Sequence, residues 1–454
     1  MTIIDPARDL EDLRSLCGGA VALPSDDGYD SARQAFNLAV DQRPAAVVYP
    51  CSAEEVVAVV AFARSRGLRV APQATGHNAG PLGGLEGTIL LKTSGMHQVT
   101  IDPERRIARA EAGVLWEDVI DAATPHGLYA LHGSSPDVGV VGYSLGGGIG
   151  WLARSHGLQT NSLTAVELVT AGGELVRTDR EHDPELFWAL RGGGGNFGIV
   201  TAVEFKLYPI TDAYAGFMLW DWSHAERVLT TWAEWALDAP DEVTTSFRIM
   251  QIPDMPQVPA PMRGRQIVLV DGAVQGADHH AILAPLRALE PELDTFATVP
   301  AASLIRLHQD PEEPTPFTSE SALIAELPPA AIRALIMLAG PGSNSPLLGV
   351  ELRQLGGALS RVTPGHGALA KLDAPFALFC GGLALDPAME AAVMAHAGHV
   401  KAALEPWAAD GAYLNFAERK VDTSKSFGAF TYRRLQAVKE RLDPGNVIHA
   451  NHAV

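Results

Sequence analysis

From about Asp41 onward, apolar positions recur along the chain with two alternating periods. "AVVYP" is a short apolar run, and "CSAEEVVAVVAFARSRGL" repeats apolar residues at helical intervals with Ser52 and Glu55 at capping-box spacing, so a strand and then a helix are expected. "RVAPQ", "TILLKTS" and the alternating "IARAEAGV" read as strands, and "LWEDVIDAATPHGL" reads as a helix ended by Gly127. "TAVELVT", "AGGE" and "LVRT" carry a hairpin signal, followed by a short helix "PELFWAL" and a strand "GIVTAVEFKLYPI". Two glycine clusters, "GYSLGGGIGWL" and "RGGGGNFGIV", interrupt this pattern, and glycine at that density lets backbone approach a ligand closely.

Past Pro209 the character changes, which marks a second domain. Tryptophans cluster in "LWDWSHAERVLTTWAEWAL" and proline becomes dense in "IPDMPQVPAPM" and "DPEEPTPF". Strand-like "GRQIVLVDGAV", "GVELRQLGGAL" and "APFALFCGGLAL" alternate with helical "PPAAIRALIMLAG" and "PAMEAAVMAHAGHVKAALEPWA", which predicts a sheet covered by helices. The tail "YRRLQAVKERLDPGNVIHANHAV" reads as helix, turn and a short extended end.

Composition narrows the classes. The 454 residues, 47% of them hydrophobic, can bury a large core and fit two or three domains. A net charge of −19, from 34 basic and 53 acidic residues, would repel a phosphate backbone and anionic lipid, so neither nucleic acid nor membrane is an expected partner. Cys17, Cys51 and Cys380 are too few and too scattered for a disulfide framework or a thiolate metal site. The N-terminal "MTIIDPARDLEDLRSLCGG" has acidic residues where a signal peptide needs basic ones, and the expectation is a cytoplasmic protein.

Three motifs carry candidate chemistry. Gly193, Gly195 and Gly198 fit GxGxxG, but that fingerprint needs a strand before and a helix after, and the order here is reversed. Gly142, Ser144 and Gly146 fit GxSxG, the elbow that would expose Ser144 as the nucleophile of an α/β hydrolase, with "VGVVGYSLGGG" as strand and turn. Against this, the elbow helix would open on Gly146, Gly147, Gly148 and Gly150, each costing about 1 kcal/mol relative to alanine. His77, in the glycine-flanked "QATGHNAG", is the third. The pairs His279 with His280 and His449 with His452 lack acidic or cysteine neighbours at metal spacing, and no metal site is expected.

Taken in order, "ATGHN", "SPDVGVVGY", "GYSLGGGIGWLARSHGLQTNSL", "GGGGNFGIVTAVEFKLYPI", "YLNF" and "DPGNVI" resemble the berberine-bridge-enzyme-like branch of the flavin oxidases related to vanillyl-alcohol oxidase and p-cresol methylhydroxylase (PCMH). The resemblance implies an α+β fold: a PCMH-type FAD-binding domain of two α/β subdomains, plus a substrate domain with an antiparallel sheet covered by helices. Residues 1–210 would form the FAD domain, with its core at about 43–210, residues 211–410 the substrate domain, and residues 411–454 a return to the FAD domain.

It further implies FAD bonded covalently to His77, which matches the family's attachment residue, beside Thr75, Gly76 and Asn78 in the diphosphate turn. Plant members carry a second attachment cysteine at the head of a "CPTVGVGG"-like segment. Ser135 stands there, after Ser134, so a single bond is expected. Gly139, Gly142, Tyr143, Gly147 and Gly150 match the glycine-rich loop; Asn161 is retained, with Thr160 where an aspartate is common. Ile199 and Val200 would lie near the adenine, and Asn446 matches the asparagine of "DPxNxF". Val138 matches a position that gates oxygen in the family, where valine is permissive, so dioxygen is the expected acceptor and peroxide the product.

Catalysis in the family removes a hydroxyl proton while hydride passes to the flavin. The usual base is the second tyrosine of "YxNY", on a strand beside the flavin. Tyr413 and Asn415 match this signature, but Phe416 cannot take a proton, which leaves Tyr413, Tyr143 or Glu351 as candidate bases, with Arg353 as the charge that would lower a tyrosine pKa. The small-molecule substrate would be a carbohydrate-like or secondary-metabolite alcohol. Trp220, Trp222, Trp232 and Trp235 are candidates for a stacking wall, with core packing the alternative for Trp232 and Trp235. Two other classes stay open: a serine esterase using Ser144, and a protein that binds FAD without turnover.

Overall fold

A computed structural model describes residues 10–454 except Gln257, Pro259 and Ala277. The first nine residues, half of the segment judged unlike a signal peptide, lie outside the described residues. Two sheets precede Pro209. In the first, Val21–Ala22 pairs antiparallel with Ala46–Val48, and Ala46–Val48, Thr88–Lys92 and Arg69–Gln73 run parallel. Ala53–Ser65 is the expected helix, and the Ser52 side chain accepts the Glu55 amide (3.3 Å). The second sheet is antiparallel in the order Val99–Asp102, Ile107–Glu111, Ile199–Lys206, Leu163–Val169, Leu175–Asp179. One apolar core joins the two sheets and the helices between them.

The third sheet lies beyond Pro209 and is antiparallel: Leu293–Asp294, Asp212–Asp221, Gln266–Val274, Val243–Gln251, Gly349–Gln354, Phe376–Leu383, Phe317–Ile324, with Ala297–Pro300 paired to Asp212–Asp221. Its period-2 alternation divides two surfaces. Phe247, Ile249, Val268, Val270, Val350 and Leu352 pack with the helices Ala225–Asp238, Pro329–Ala339 and Pro387–Leu404. The alternate residues form registered rows on the other face, Ser246 with Asp271 and Arg353, and Arg248 with Glu351 and Phe379. Buried Arg154, in the short helix Ala153–His156, donates to the carbonyls of Val243 (2.6 Å), Ala239 (2.7 Å) and Leu355, fastening the earlier half of the chain to this sheet. No helix among the described residues is long and apolar enough to cross a membrane.

Several expectations change. The tryptophans belong to the core: Trp220 and Trp232 are fully buried, and half-buried Trp222 and Trp235 pack against the same cluster, Trp235 donating to the Ile282 carbonyl (3.0 Å), so their indoles pack into the protein rather than line an open wall. Leu414–Phe416 is a single tight turn instead of a strand. "VVGYSLG" is a helix, Val140–Gly146, so Ser144 sits inside a helix and not on a strand-to-helix elbow. Its hydroxyl is buried with no hydrogen-bond partner, which removes the geometric basis for the esterase. At the other glycine cluster the order is helix Pro184–Leu190, then strand Ile199–Lys206, the reverse of a dinucleotide fingerprint.

Candidate functional site

The parallel strands Arg69–Gln73 and Thr88–Lys92 end side by side, and the chain leaving the first forms the loop that carries His77. Gly76 turns it with φ +88°, and a Cβ there would stand 2.8 Å from that of Ala35. The segment holding Ala35 therefore presses directly on the loop. The Phe36 amide donates to the Thr75 carbonyl (2.9 Å), and the Phe36 ring stacks on the His77 imidazole with centroids 3.7 Å apart. Thr75 Oγ1 lies 2.7 Å from His77 Nδ1. Asn78 donates to the Ala417 carbonyl (3.0 Å) and accepts from Asn451 (2.6 Å), which ties the loop to the C-terminal segment. Among the described residues, the amides of Thr75, Gly76, His77 and Asn78 donate to no acceptor of the protein.

The segment after His132 brings Asp137 against His77. Asp137 Oδ2 is 3.6 Å from His77 Nε2, and Ser135 Oγ donates to Asp137 Oδ1 (2.7 Å). Burial pushes the Asp137 carboxyl up, but His77 and Ser135 outweigh it and hold the group below its ordinary value. Ser134 donates to Asp310 (3.2 Å), and the Val138 carbonyl accepts the Trp116 amide (3.1 Å).

The glycine loop then meets the tyrosines. A Cβ on Gly147, whose φ is +136°, would lie 2.8 Å from the Tyr413 ring, and one on Gly150 would lie 2.0 Å from the His132 carbonyl. The close approach expected at these two glycines is thus made to the protein's own groups. Gly142 has no atom within 4 Å of its missing Cβ, so space for another group exists there. Tyr413 Oη accepts from the Gly148 amide (2.8 Å) and from Asn415 (3.2 Å), and Asn415 also donates to the Tyr143 carbonyl (3.0 Å). Burial drives both phenols above their ordinary value, by more than the Gly148 amide and Asn415 recover at Tyr413. Both phenols are therefore protonated in the resting geometry at neutral pH, with Arg353 acting in the opposite, lowering sense on each.

Glu351 changes as well. Its carboxylate takes Arg353 Nε (2.7 Å) and faces His308 Nε2 (3.5 Å). Burial opposes its ionisation, yet Arg353 and His308 hold it far below the usual carboxylate range, which makes it a weak proton acceptor. The pair belongs to a larger buried cluster. His308 Nδ1 is 2.9 Å from Asp271 Oδ2, and Arg248 donates to the same oxygen (2.5 Å). Arg353 lies over the rings of Trp151 (5.6 Å) and Phe416 (5.4 Å), so Phe416 covers a guanidinium where the family's tyrosine would stand.

The remaining predicted residues sit further out. Ile199 and Val200 are buried at the start of their strand. Asn161 accepts the Gly367 amide (3.1 Å). Asn446 is at the Arg69 end of the strand Arg69–Gln73, away from His77; it has φ +49°, and its carbonyl accepts from Arg69 (3.2 Å), so its asparagine suits a left-handed turn. Reading the sequence missed Asp137, Arg248, Asp271 and His308. The strand residues had a signal in the polar positions of "TTSFRIMQ" and the aspartate inside "QIVLVDGAV"; His308 had none.

The free amides of the His77 loop, the unpartnered buried atoms His77 Nε2 and Asp137 Oδ2 beside them and the open space at Gly142 fit a polar cofactor seated against this loop. Residues 44–179 match the family model described as an FAD binding domain. The xylooligosaccharide oxidase of Thermothelomyces thermophilus is 28% identical over 92% of this chain and 88% of its own length. The solved 6-hydroxy-D-nicotine oxidase of Arthrobacter nicotinovorans superposes with a TM-score of 0.84 at 26% identity, over 96% of this chain and 98% of that one. A BBE-like protein of Physcomitrella patens shares the fold at a TM-score of 0.84 and 22% identity, over 96% and 97% of the two chains.

Proposed function

We propose that the chain is an FAD-linked oxidoreductase of the berberine-bridge-enzyme-like kind and that it oxidises a hydroxyl-bearing carbon of a carbohydrate-like or secondary-metabolite substrate, with the flavin held covalently by His77 and dioxygen as final acceptor; the FAD binding domain match over residues 44–179 and the likeness to the xylooligosaccharide oxidase and to 6-hydroxy-D-nicotine oxidase support this reading. When bound, FAD supplies the hydride acceptor and passes the electrons on to oxygen. The amides of Thr75 to Asn78 would hold its diphosphate, and the open space beside Gly142 would admit the ring system.

The observation that carries the substrate reading is at Tyr413. Its Oη already accepts two hydrogen bonds, from Gly148 and Asn415, so what it has left to give is its own proton. A substrate oxygen is the natural acceptor, and Tyr413 would orient the carbinol rather than deprotonate it. The xylooligosaccharide oxidase, by its name, acts on a substrate rich in such oxygens. The test is anaerobic reduction of the flavin by xylo- and gluco-oligosaccharides and by aromatic alcohols. Tyr413→Phe is expected to slow reduction by about 10- to 100-fold, as for loss of one or two hydrogen-bond equivalents at the reacting centre, with flavin content unchanged. A flavin that no alcohol reduces would favour binding without turnover.

Reoxidation is tested separately. Val138 is half-buried against the core and follows Asp137, the residue that faces His77. Valine leaves room there, whereas Val138→Leu adds a methylene to close-packed surroundings and should slow flavin reoxidation by about tenfold, corresponding to about 1.4 kcal/mol. Rapid mixing of reduced enzyme with aerated buffer, with peroxide measured alongside, reads this directly. Equal rates in both proteins would remove Val138 as a gate.

A further inference from the structure

We propose that Asp137 is the positioning residue that prepares His77 to bond the flavin 8α-methyl carbon; the inference rests on the reading of His77 as the attachment residue. His77 Nε2 and Asp137 Oδ2 face each other at 3.6 Å, and each is buried without another partner. The rest of the pair is held still. Phe36 fixes the plane of the imidazole, Thr75 Oγ1 takes the Nδ1 side (2.7 Å), and Ser135 Oγ holds the other carboxylate oxygen (2.7 Å). Ser135 thus supports the first attachment in place of making a second.

An imidazole attacks through the nitrogen that lacks a proton, and which nitrogen that is depends on what the other one faces. A carboxylate at Nε2 favours the tautomer protonated there, which leaves the lone pair on Nδ1 with the Thr75 hydroxyl as a displaceable donor. As the Nδ1–carbon bond forms, positive charge grows on the ring, and Asp137 stabilises it and accepts the Nε2 proton. One methyl C–H bond and the ring N–H bond break, and one C–N bond forms. The two protons and two electrons released reduce the isoalloxazine, and dioxygen then takes both, giving hydrogen peroxide and the oxidised, attached flavin.

The test uses full-length protein produced under riboflavin limitation, mixed with FAD in aerated buffer, with flavin retained after acid precipitation followed over time. Asp137→Asn is expected to attach flavin about 10- to 100-fold more slowly than wild type, while quenching of flavin fluorescence shows unchanged reversible binding. Asp137→Glu should recover part of the rate. Nitrogen-15 spectra of labelled His77 should report the Nε2-protonated tautomer in wild type and a mixture in Asp137→Asn. Attachment at the wild-type rate in Asp137→Asn, or an unchanged tautomer, would overturn the role of Asp137 while leaving His77 as the attachment residue. Release of all flavin from the wild-type protein by acid would instead overturn the attachment itself.

Discussion

Denatured His77→Ala protein should carry no flavin, whereas the denatured wild-type protein should fluoresce as a flavoprotein on a gel. The imidazole is carried by the same loop as the amides that would hold the diphosphate, and alanine offers no atom to bond. Reversible binding should survive, because the free amides of Thr75 to Asn78 belong to the backbone and Gly76 keeps the turn. Turnover should fall as well. An electron-withdrawing nitrogen on the 8α-carbon makes the ring easier to reduce, and for a two-electron couple each 30 mV of lost potential is worth about 1.4 kcal/mol, or tenfold. Potentiometry on both proteins, with reductive half-reactions measured in parallel, checks the link. Flavin retained by acid-precipitated His77→Ala would assign the bond to another residue.

Asp271→Asn should be the most destabilising change in the third sheet. Asp271 is fully buried and faces Ser246, Arg248 and His308 together, so removing its charge leaves two buried cations sharing too little compensation. Breaking a buried pair in this way costs about 3–5 kcal/mol, read as a fall in denaturant midpoint with unchanged slope. The pH profile identifies the partner. Burial and Arg248 both push His308 towards neutrality, but the carboxylates of Asp271, Asp310 and Glu351 outweigh them and raise its pKa to about 9. A raised pKa means the stabilisation from His308 is fully present below the unfolded value of about 6.5 and is lost as pH climbs through the folded one. Asp271 itself is lowered, against burial, by Arg248, His308 and Ser246, so its contribution is present above the ordinary aspartate range and lost on acidification. Wild-type stability should therefore decline between about pH 6.5 and 9 from this source, and Asp271→Asn should flatten that decline. An unchanged slope in the variant would mean that Asp271 does not hold the His308 proton.

Local pattern determined much of this protein on its own. The capped helix Ala53–Ser65, the hairpin Leu163–Val169 with Leu175–Asp179, the helix-then-strand order around Gly193 and the sheet-and-helix second half all follow from periodicity and turn chemistry acting over a few residues. The strands Asp212–Asp221, Val243–Gln251 and Phe317–Ile324 were harder to read, because a tryptophan-rich run and mixed polar positions obscure period 2 until one knows that both faces are covered. The ordered motifs singled out His77, Tyr413 and Asn415, and the structure joins the last two by a hydrogen bond of 3.2 Å.

Tertiary structure alone decided what those residues can do. Burial, a property of the whole packing, raises the Tyr413 phenol above its ordinary value against the Gly148 amide and Asn415. Glu351 is held low by Arg353, two residues along its own strand, and by His308, which arrives from a distant loop. Asp137 reaches His77, and His308 reaches Asp271, across long stretches of chain that share no local pattern. Sequence periodicity reports which side of an element turns inward. It carries no information about which charged group from elsewhere will arrive there, and the pKa of a buried group is set by that arrival.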